Sequence, residues 1–240
     1  MRLDKMLSNS GYGTRSTVTK LIKSGQVTVN GVTIKDSGFH ISDTDDVAIN
    51  GDSTTQKDHL YFAFDKPDGV LTAMEDKRLP NVGDYIPPEI SNLKLSPVGR
   101  LDYHTTGLLI ITNDGELSHR LTSPKYKVPK RYLVNYSGPS LGQAQINEAL
   151  SGMTLLDMDK PVKLSPSILE LPEDNIAILT LHEGKTHEVR RMISQWGCEV
   201  VSLRRISLGS IELDENSTPG SLTELTSEQI ESLKKETGLC

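Results

Sequence analysis

The chain is 240 residues long, enough to bury one large core, or a small and a medium one, without disulfide or metal staples. Cys198 and Cys240 stand far apart with no CxxC or Cys/His spacing, and no apolar run is longer than about one strand, so a reduced, cytoplasmic protein is expected, with no structural metal, cofactor, membrane span or leader. The net charge of -6 weighs against a nucleic-acid partner only as an average, because the charge is segregated along the chain.

Residues 1–30 carry five basic side chains and one acid. Leu3, Met6 and Leu7 are spaced i, i+3, i+4, and Val18, Leu21 and Ile22 repeat that spacing after GYGT, where Thr14 suits an N-cap. Two short helices sharing an apolar seam are therefore predicted. On the second, Ser16, Lys20 and Lys23 fall opposite the seam and Arg15 on its flank, so the cations face outward. QVTVNGVTI then alternates about Asn30-Gly31, a strong hairpin signal. Through RLDKML and TRSTVTKLIKSGQVTVNG, the first fifty residues or so resemble the small RNA-binding module first described in a ribosomal small-subunit protein. The resemblance implies that Arg15, Lys20 and Lys23 meet RNA. NGDSTTQKDH (50–59) holds no apolar residue and reads as a linker, which divides an RNA-binding module with its linker, 1–58, from a second domain, 59–240.

In that second domain YFAFDKP, GLLIIT, RYLVNY, AILTL and CEVVSLRRISLGSIEL read as strands, and LGQAQINEALSG, THEVRRMISQWG and SLTELTSEQIESLKKE as helices. The two types do not alternate strictly, so an α+β fold on a mixed, largely antiparallel sheet is expected. SHRLTSPKYKVPKRY (118–132) holds five basic side chains and no acid, whereas 211–240 holds seven acids and two lysines. A basic surface can thus coexist with an acidic tail.

GRLDYHTTGLLIITNDG (99–115) sets Asp102 on the approach to a run, Leu108 to Ile111, that should be a buried strand ended by the NDG turn. Loops held by such scaffolds often carry catalytic groups, although an aspartate there also suits a plain turn. Three segments in order, FDKPDGV (64–70), GRLDYHTTGLL (99–109) and LHEGKTHEVRRM (181–192), with KRYLV (130–134) between the last two, make residues 60–210 similar to the RsuA/RluB branch of the pseudouridine synthases. The resemblance implies that Asp102 is the catalytic carboxylate, that Tyr132 packs on the target uracil, and that Arg190 pairs with Asp102 and favours its charged form. It further implies contributions to substrate and RNA binding from Arg100, Thr106, Lys66 and Arg191. Glu188 departs from the family, which most often has glutamine there.

The implied reaction explains the residue types. Uridine becomes pseudouridine when the N1–C1′ bond breaks, the free uracil turns, and C5 joins C1′. The leaving base stays in the pocket, so one carboxylate suffices where a glycosidase uses two. Whether Asp102 attacks the sugar or removes a ribose proton is open at this point. The expected substrate is ribosomal RNA, free or within a pre-ribosomal particle, and the compact length favours the small-subunit type. A large-subunit enzyme of the RluB type and a non-catalytic RNA-binding assembly factor are the alternatives. A monomer is expected. No GxxxxGK[ST] loop or HExxH pair points to nucleotide or metal chemistry.

Overall fold

The computed structural model describes residues 1–10, 12–42, 44–54, 59–156 and 160–239. Cys240 and four residues of the expected linker, 55–58, lie outside them. The chain forms two compact units, one of Met1–His59 with Pro87–Leu95, the other of Leu60–Ile86 with Ser96–Cys240.

In the first unit α1 (Leu3–Asn9) and α2 (Arg15–Lys23) bury Leu3, Met6, Leu7, Val18 and Ile22 in one apolar cluster. Thr14 Oγ1 accepts from Thr17 N at 3.2 Å, so the expected cap opens α2. A four-stranded sheet runs in the order β2 (Val32–Thr33), β1 (Val27–Val29), β3 (Val47–Ile49), β4 (Asp52–Ser53), all neighbours antiparallel. Asn30 and Gly31 take positive φ of 50° and 78°, which the tight β1–β2 turn requires. Asn50 and Gly51 repeat the device, at 53° and 90°, between β3 and β4. The start of the expected linker is therefore a hairpin, unseen in the sequence because β4 is exposed and lacks apolar alternation. Pro87–Leu95 belongs to this unit too. Lys94 Nζ donates to Ser8 O at 2.7 Å and Ser8 Oγ at 2.6 Å, which brings a cation to the last turn of α1, where the helix has no basic residue of its own.

In the second unit the elements in chain order are β5 (Tyr61–Lys66), β6 (Ser96–Pro97), β7 (Thr106–Thr112), α3 (Gly115–Thr122), β8 (Lys130–Ser137), α4 (Gln143–Ser151), β9 (Thr154–Leu155), β10 (Val162–Lys163), β11 (Ile168–Glu173), β12 (Ile176–Leu181), α5 (Glu188–Gln195), β13 (Glu199–Leu208), β14 (Ile211–Glu212), β15 (Leu222–Glu224) and α6 (Ser227–Glu236). The main sheet has the order β11-β12-β8-β13-β7-β5-β15, with β14 on β13 and β6 on β7. It is mixed and largely antiparallel: β13 and β7 run parallel, Arg204 opposite Thr106 and Arg205 opposite Gly107. Gly107 is obligatory there, since a Cβ would lie 2.3 Å from the Arg205 carbonyl oxygen. One apolar cluster packs α4 and α5 against β8, β12 and β13, and another packs α3 and α6 against β5 and β7. Among the described residues no helix is long and apolar enough to cross a membrane.

Every strand and helix read from the sequence of this unit is present within a few residues. Among the elements not foreseen, three are instructive. NDG follows the end of β7 as expected, and Asp114 in it also caps a helix, α3, by accepting from Glu116 N and Leu117 N. The edge strand β11 contains Pro172 at the end of its pairing, where the register shifts. The first part of SLTELTSEQIESLKKE pairs with β5 as β15 before α6 begins at Ser227.

Candidate active site

The loop 98–105, between β6 and β7, carries Asp102, and its backbone polar groups are taken up from several sides. Thr72 Oγ1 donates to Leu101 O at 2.7 Å and accepts from Leu101 N at 3.1 Å. Gly69 N donates to Tyr103 O, and Thr105 N donates to Asp102 O. Lys66, at the end of β5 and fully buried, donates through Nζ to Pro67 O (3.0 Å), Tyr103 O (3.2 Å) and Thr105 O (2.9 Å). Burial lowers the Lys66 ammonium to about 8, while the carboxylates of Asp68 and Asp102 pull it back upward. Lys66 is thus not an RNA contact, as was expected of it: a cation with no exposed surface and three carbonyl acceptors cannot reach a phosphate. It holds the loop instead.

Asp102 sits at a small cavity of about 90 Å³, room for one base-sized group rather than a strand. Arg100, Leu101 and Thr105 line it from the same loop, Tyr132 from β8, Leu181 from the end of β12 and Leu203 from β13. Gly184, Lys185, His187, Glu188 and Val189 complete it from the turn into α5. The carboxylate is 38 % exposed, Tyr132 is half-buried, and Arg100 is exposed. The structure therefore brings Asp102, Tyr132 and Arg100 together.

Arg190 does not form the expected ion pair. Its Nη2 donates to the His104 carbonyl at 2.7 Å, and among the described residues no Arg190 contact to Asp102 lies within 4.0 Å. Arg190 stands in the first turn of α5, and this guanidinium nitrogen is spent on a backbone carbonyl two residues beyond Asp102. A basic side chain that does approach Asp102 is that of His187, whose Nε2 stands 3.6 Å from Oδ1 and whose backbone is left-handed (φ 51°) at the start of α5. Thr106 is likewise off the cavity, with Oγ1 donating to Leu203 O at 3.3 Å and so tying the loop's exit to β13. Arg191 Nη1 donates to Thr186 O at 3.4 Å, within the turn before α5.

Glu188 is 4 % exposed and its Oε2 accepts from Lys185 N at 2.7 Å. Burial pushes its carboxyl upward, with Glu183 adding to the rise. His187 and Thr105 are among the residues of the site that escaped the sequence reading. His187 has no signal beyond its own type, because its approach to Asp102 depends on a left-handed backbone. Thr105 was not singled out within the GRLDYHTTGLL segment. The outward cations of α2, Arg15, Lys20 and Lys23, are exposed in the first unit as expected.

The family model of RNA pseudouridylate synthases matches residues 60–195, and that of the S4 domain matches residues 1–47. A Bacillus subtilis protein called an uncharacterized RNA pseudouridine synthase is 38% identical, covering 98% of this chain and 99% of its own. A Vibrio cholerae protein called ribosomal small subunit pseudouridine synthase A is 39% identical over 98% of this chain and 100% of its own. A solved structure described as a pseudouridylate synthase is 34% identical, covers 97% of this chain and 99% of that one, and superposes with a TM-score of 0.68. All residues lining the cavity around Asp102 but Leu203 lie within the matched span, and the chain belongs to the RNA pseudouridylate synthase family, with an RNA-binding S4 domain ahead of its catalytic domain.

Proposed function

We propose that this RNA pseudouridine synthase acts on one uridine of ribosomal RNA, of the small subunit, as a monomer and on RNA free or in a pre-ribosomal particle. The relatives named for small-subunit pseudouridine synthesis, alike over nearly the whole chain, support the substrate. The domain reading is the one taken from sequence, 1–58 for RNA anchoring and 59–240 for chemistry.

The observation that carries the catalytic assignment is the pinned loop: Asp102 is presented to a base-sized cavity by a backbone whose 101, 102, 103 and 105 carbonyls are all bonded. A group that must act on the sugar carbon without losing position needs such a mount. In this reading the uridine leaves its stack and its base lies against the Tyr132 ring, with Leu181 and Leu203 excluding water. Asp102 then serves as nucleophile toward C1′ or as base toward a ribose proton while N1–C1′ breaks. The uracil turns, C5 bonds to C1′, and the C5 proton is lost to solvent, with the Tyr132 hydroxyl relaying it by giving up its own proton as it takes that one. Arg190 steadies the turn through His104 O rather than by pairing with the carboxylate.

The test is a map of pseudouridine in ribosomal RNA from cells with the protein, without it, and with Asp102→Asn. One position in small-subunit RNA should lose its modification in the second and third. A missing position in large-subunit RNA moves the substrate, and an unchanged map removes the ribosomal reading.

A further inference from the structure

His187 holds the N-cap position of α5 but does not cap it, since its side chain accepts no hydrogen bond from the helix start. Its backbone is left-handed, at φ 51° and ψ 30°, a conformation that costs a residue with a Cβ and that persists where the surrounding fold enforces it, commonly at active sites. The imidazole turns instead to Asp102, with Nε2 3.6 Å from Oδ1, beyond a hydrogen bond, and it is 59 % exposed. It thus lines the Asp102 cavity on one side and meets solvent on the other. The other ionisable groups that line the cavity are engaged or unsuited to take a proton. Arg100 has no lone pair to offer, Lys185 Nζ is bonded to Lys163 O and paired with Glu183, and Glu188 is 4 % exposed with Oε2 taken by Lys185 N. Asp102 is committed to the sugar. A phenol holds one proton, so the Tyr132 hydroxyl can take the C5 proton only as it hands its own to a base. His187 is the side chain of the cavity left to be that base, and an imidazole both takes and gives a proton near neutral pH.

We propose that His187 is the terminal proton acceptor of the reaction, the group to which the Tyr132 hydroxyl hands its proton as C5 loses one, and from which that proton leaves to water. The proposal rests on the reading of this cavity as the uracil's site. Once C5 has bonded to C1′, it carries both the new bond and its hydrogen, and the ring has a C6=N1 double bond. The C5–H bond breaks and its proton goes to the Tyr132 oxygen, while the phenol's own proton goes to the lone pair on His187 Nε2. The C–H electron pair forms C5=C6, the C6=N1 pair moves onto N1, and N1 takes a proton from water. The imidazolium then returns its proton to water, for which its exposure suits it, so that no proton is gained or lost overall. On either route to the new bond Asp102 is by then a free carboxylate again, so the imidazolium forms beside an opposite charge 3.6 Å away. The left-handed turn is what brings the ring there.

The experiment uses the full chain and transcripts of both ribosomal RNAs, free and with ribosomal proteins bound, carrying hydrogen or deuterium at uracil C5. Pseudouridine formation is followed in single turnovers at saturating RNA for wild type, His187→Gly and His187→Asn, with and without added imidazole. Glycine and asparagine are the residues best suited to a left-handed backbone, so the turn is kept, and asparagine carries the test if glycine loosens the helix start. Both variants are expected to bind RNA within about twofold of wild type and to form pseudouridine at least about tenfold more slowly. Slowing by deuterium should be greater in the variants than in wild type, because C5–H cleavage then limits the rate. Added imidazole should speed the glycine variant, whose missing ring leaves an opening to solvent, and leave wild type unchanged. Variant rates equal to that of wild type overturn the proposal and leave the proton to Asp102 or to water. A slower rate with neither a larger deuterium effect nor rescue by imidazole also overturns it, and makes the imidazole only a partner that holds Asp102. Wild type that forms no pseudouridine in any of these RNAs overturns the functional reading, and the proposed acceptor falls with it.

Discussion

Lys23 and Lys66 carry the same ammonium into opposite surroundings. Lys23, with Arg15 and Lys20, is exposed on the face of α2 turned away from the apolar seam, where a solvated cation is free to meet a phosphate at little desolvation cost. Lys66 has no exposed surface and spends its donors on the carbonyls of Pro67, Tyr103 and Thr105. In the first unit, charge serves affinity, at a surface and screened by salt; in the second, it serves position, in an interior that salt does not reach. The difference teaches that a count of cations along the chain measures the first use and overstates it by the second.

The contrast can be broken most severely at the residue that the buried lysine positions. Asp102→Asn is expected to lower the single-turnover rate by more than about a thousandfold with RNA affinity unchanged, because the amide keeps the shape and loses the charge. A loss under about tenfold, on the order of 1.4 kcal/mol, would take Asp102 out of the chemistry.

Lys66→Met comes next. It strands at least the Pro67 and Thr105 carbonyls in a buried site, at about 2–4 kcal/mol, a fall in melting temperature of about 4–16 °C for a chain of this size. The rate should fall with it while the salt dependence of binding stays that of wild type. A flattened salt dependence would return Lys66 to the RNA-binding surface. The wild type offers a companion measurement in pH. With the ammonium lowered from 10.5 to about 8, its burial costs stability below pH 8, and the cost is relieved between about 8 and 10.5 as the folded chain gives up the proton before the unfolded one. Turnover should move the other way over that window, since a neutral amine has one donor fewer for the loop.

For the exposed cations, the full chain with Arg15, Lys20 and Lys23 all changed to Gln should bind RNA more weakly, with the log-log salt slope reduced by about 0.7–0.9 for each phosphate that is no longer neutralised. Its rate at saturating RNA should equal that of wild type. An unchanged slope would make these side chains merely a solvated face. Substitution is preferable to removal of residues 1–58, because Lys94 is bonded to Ser8 and Pro87–Leu95 would lose its unit.

The smallest effect is expected at Glu188, a buried acid rather than a buried cation. Its carboxyl is raised above 4.5, chiefly by burial, so the stability linked to its protonated form is fully present below pH 4.5 and is lost as pH rises through the raised value. Glu188→Gln keeps an oxygen for Lys185 N and carries no charge to bury. Its melting temperature should exceed that of wild type by about 2–4 °C at pH 8, and the two curves should meet near pH 4. A gap that persists at pH 4 would point to packing rather than ionisation.

The amino-acid pattern by itself determined the elements and their faces. Periods of 3.6 and 2 in the apolar residues, Thr14 as a cap and the Asn30-Gly31 turn are local facts, and the segments around Asp102, Tyr132 and the turn into α5 carried the family and the catalytic candidate. Where local signals conflicted, reading failed: Asn50-Gly51 lay in a polar stretch that looked like a linker, Asp114 looked like a turn residue before it proved a cap, and Pro172 hid an edge strand. Tertiary structure alone decided which partners the polar groups found. Lys66 meets the 103–105 backbone because β5 and β7 are paired, Arg190 meets His104 O rather than Asp102, and Thr105 Oγ1 is buried with no partner among the described residues. Each of these is a distance between residues tens of positions apart in the chain, and a one-dimensional pattern fixes the face a side chain points from but not what stands opposite it.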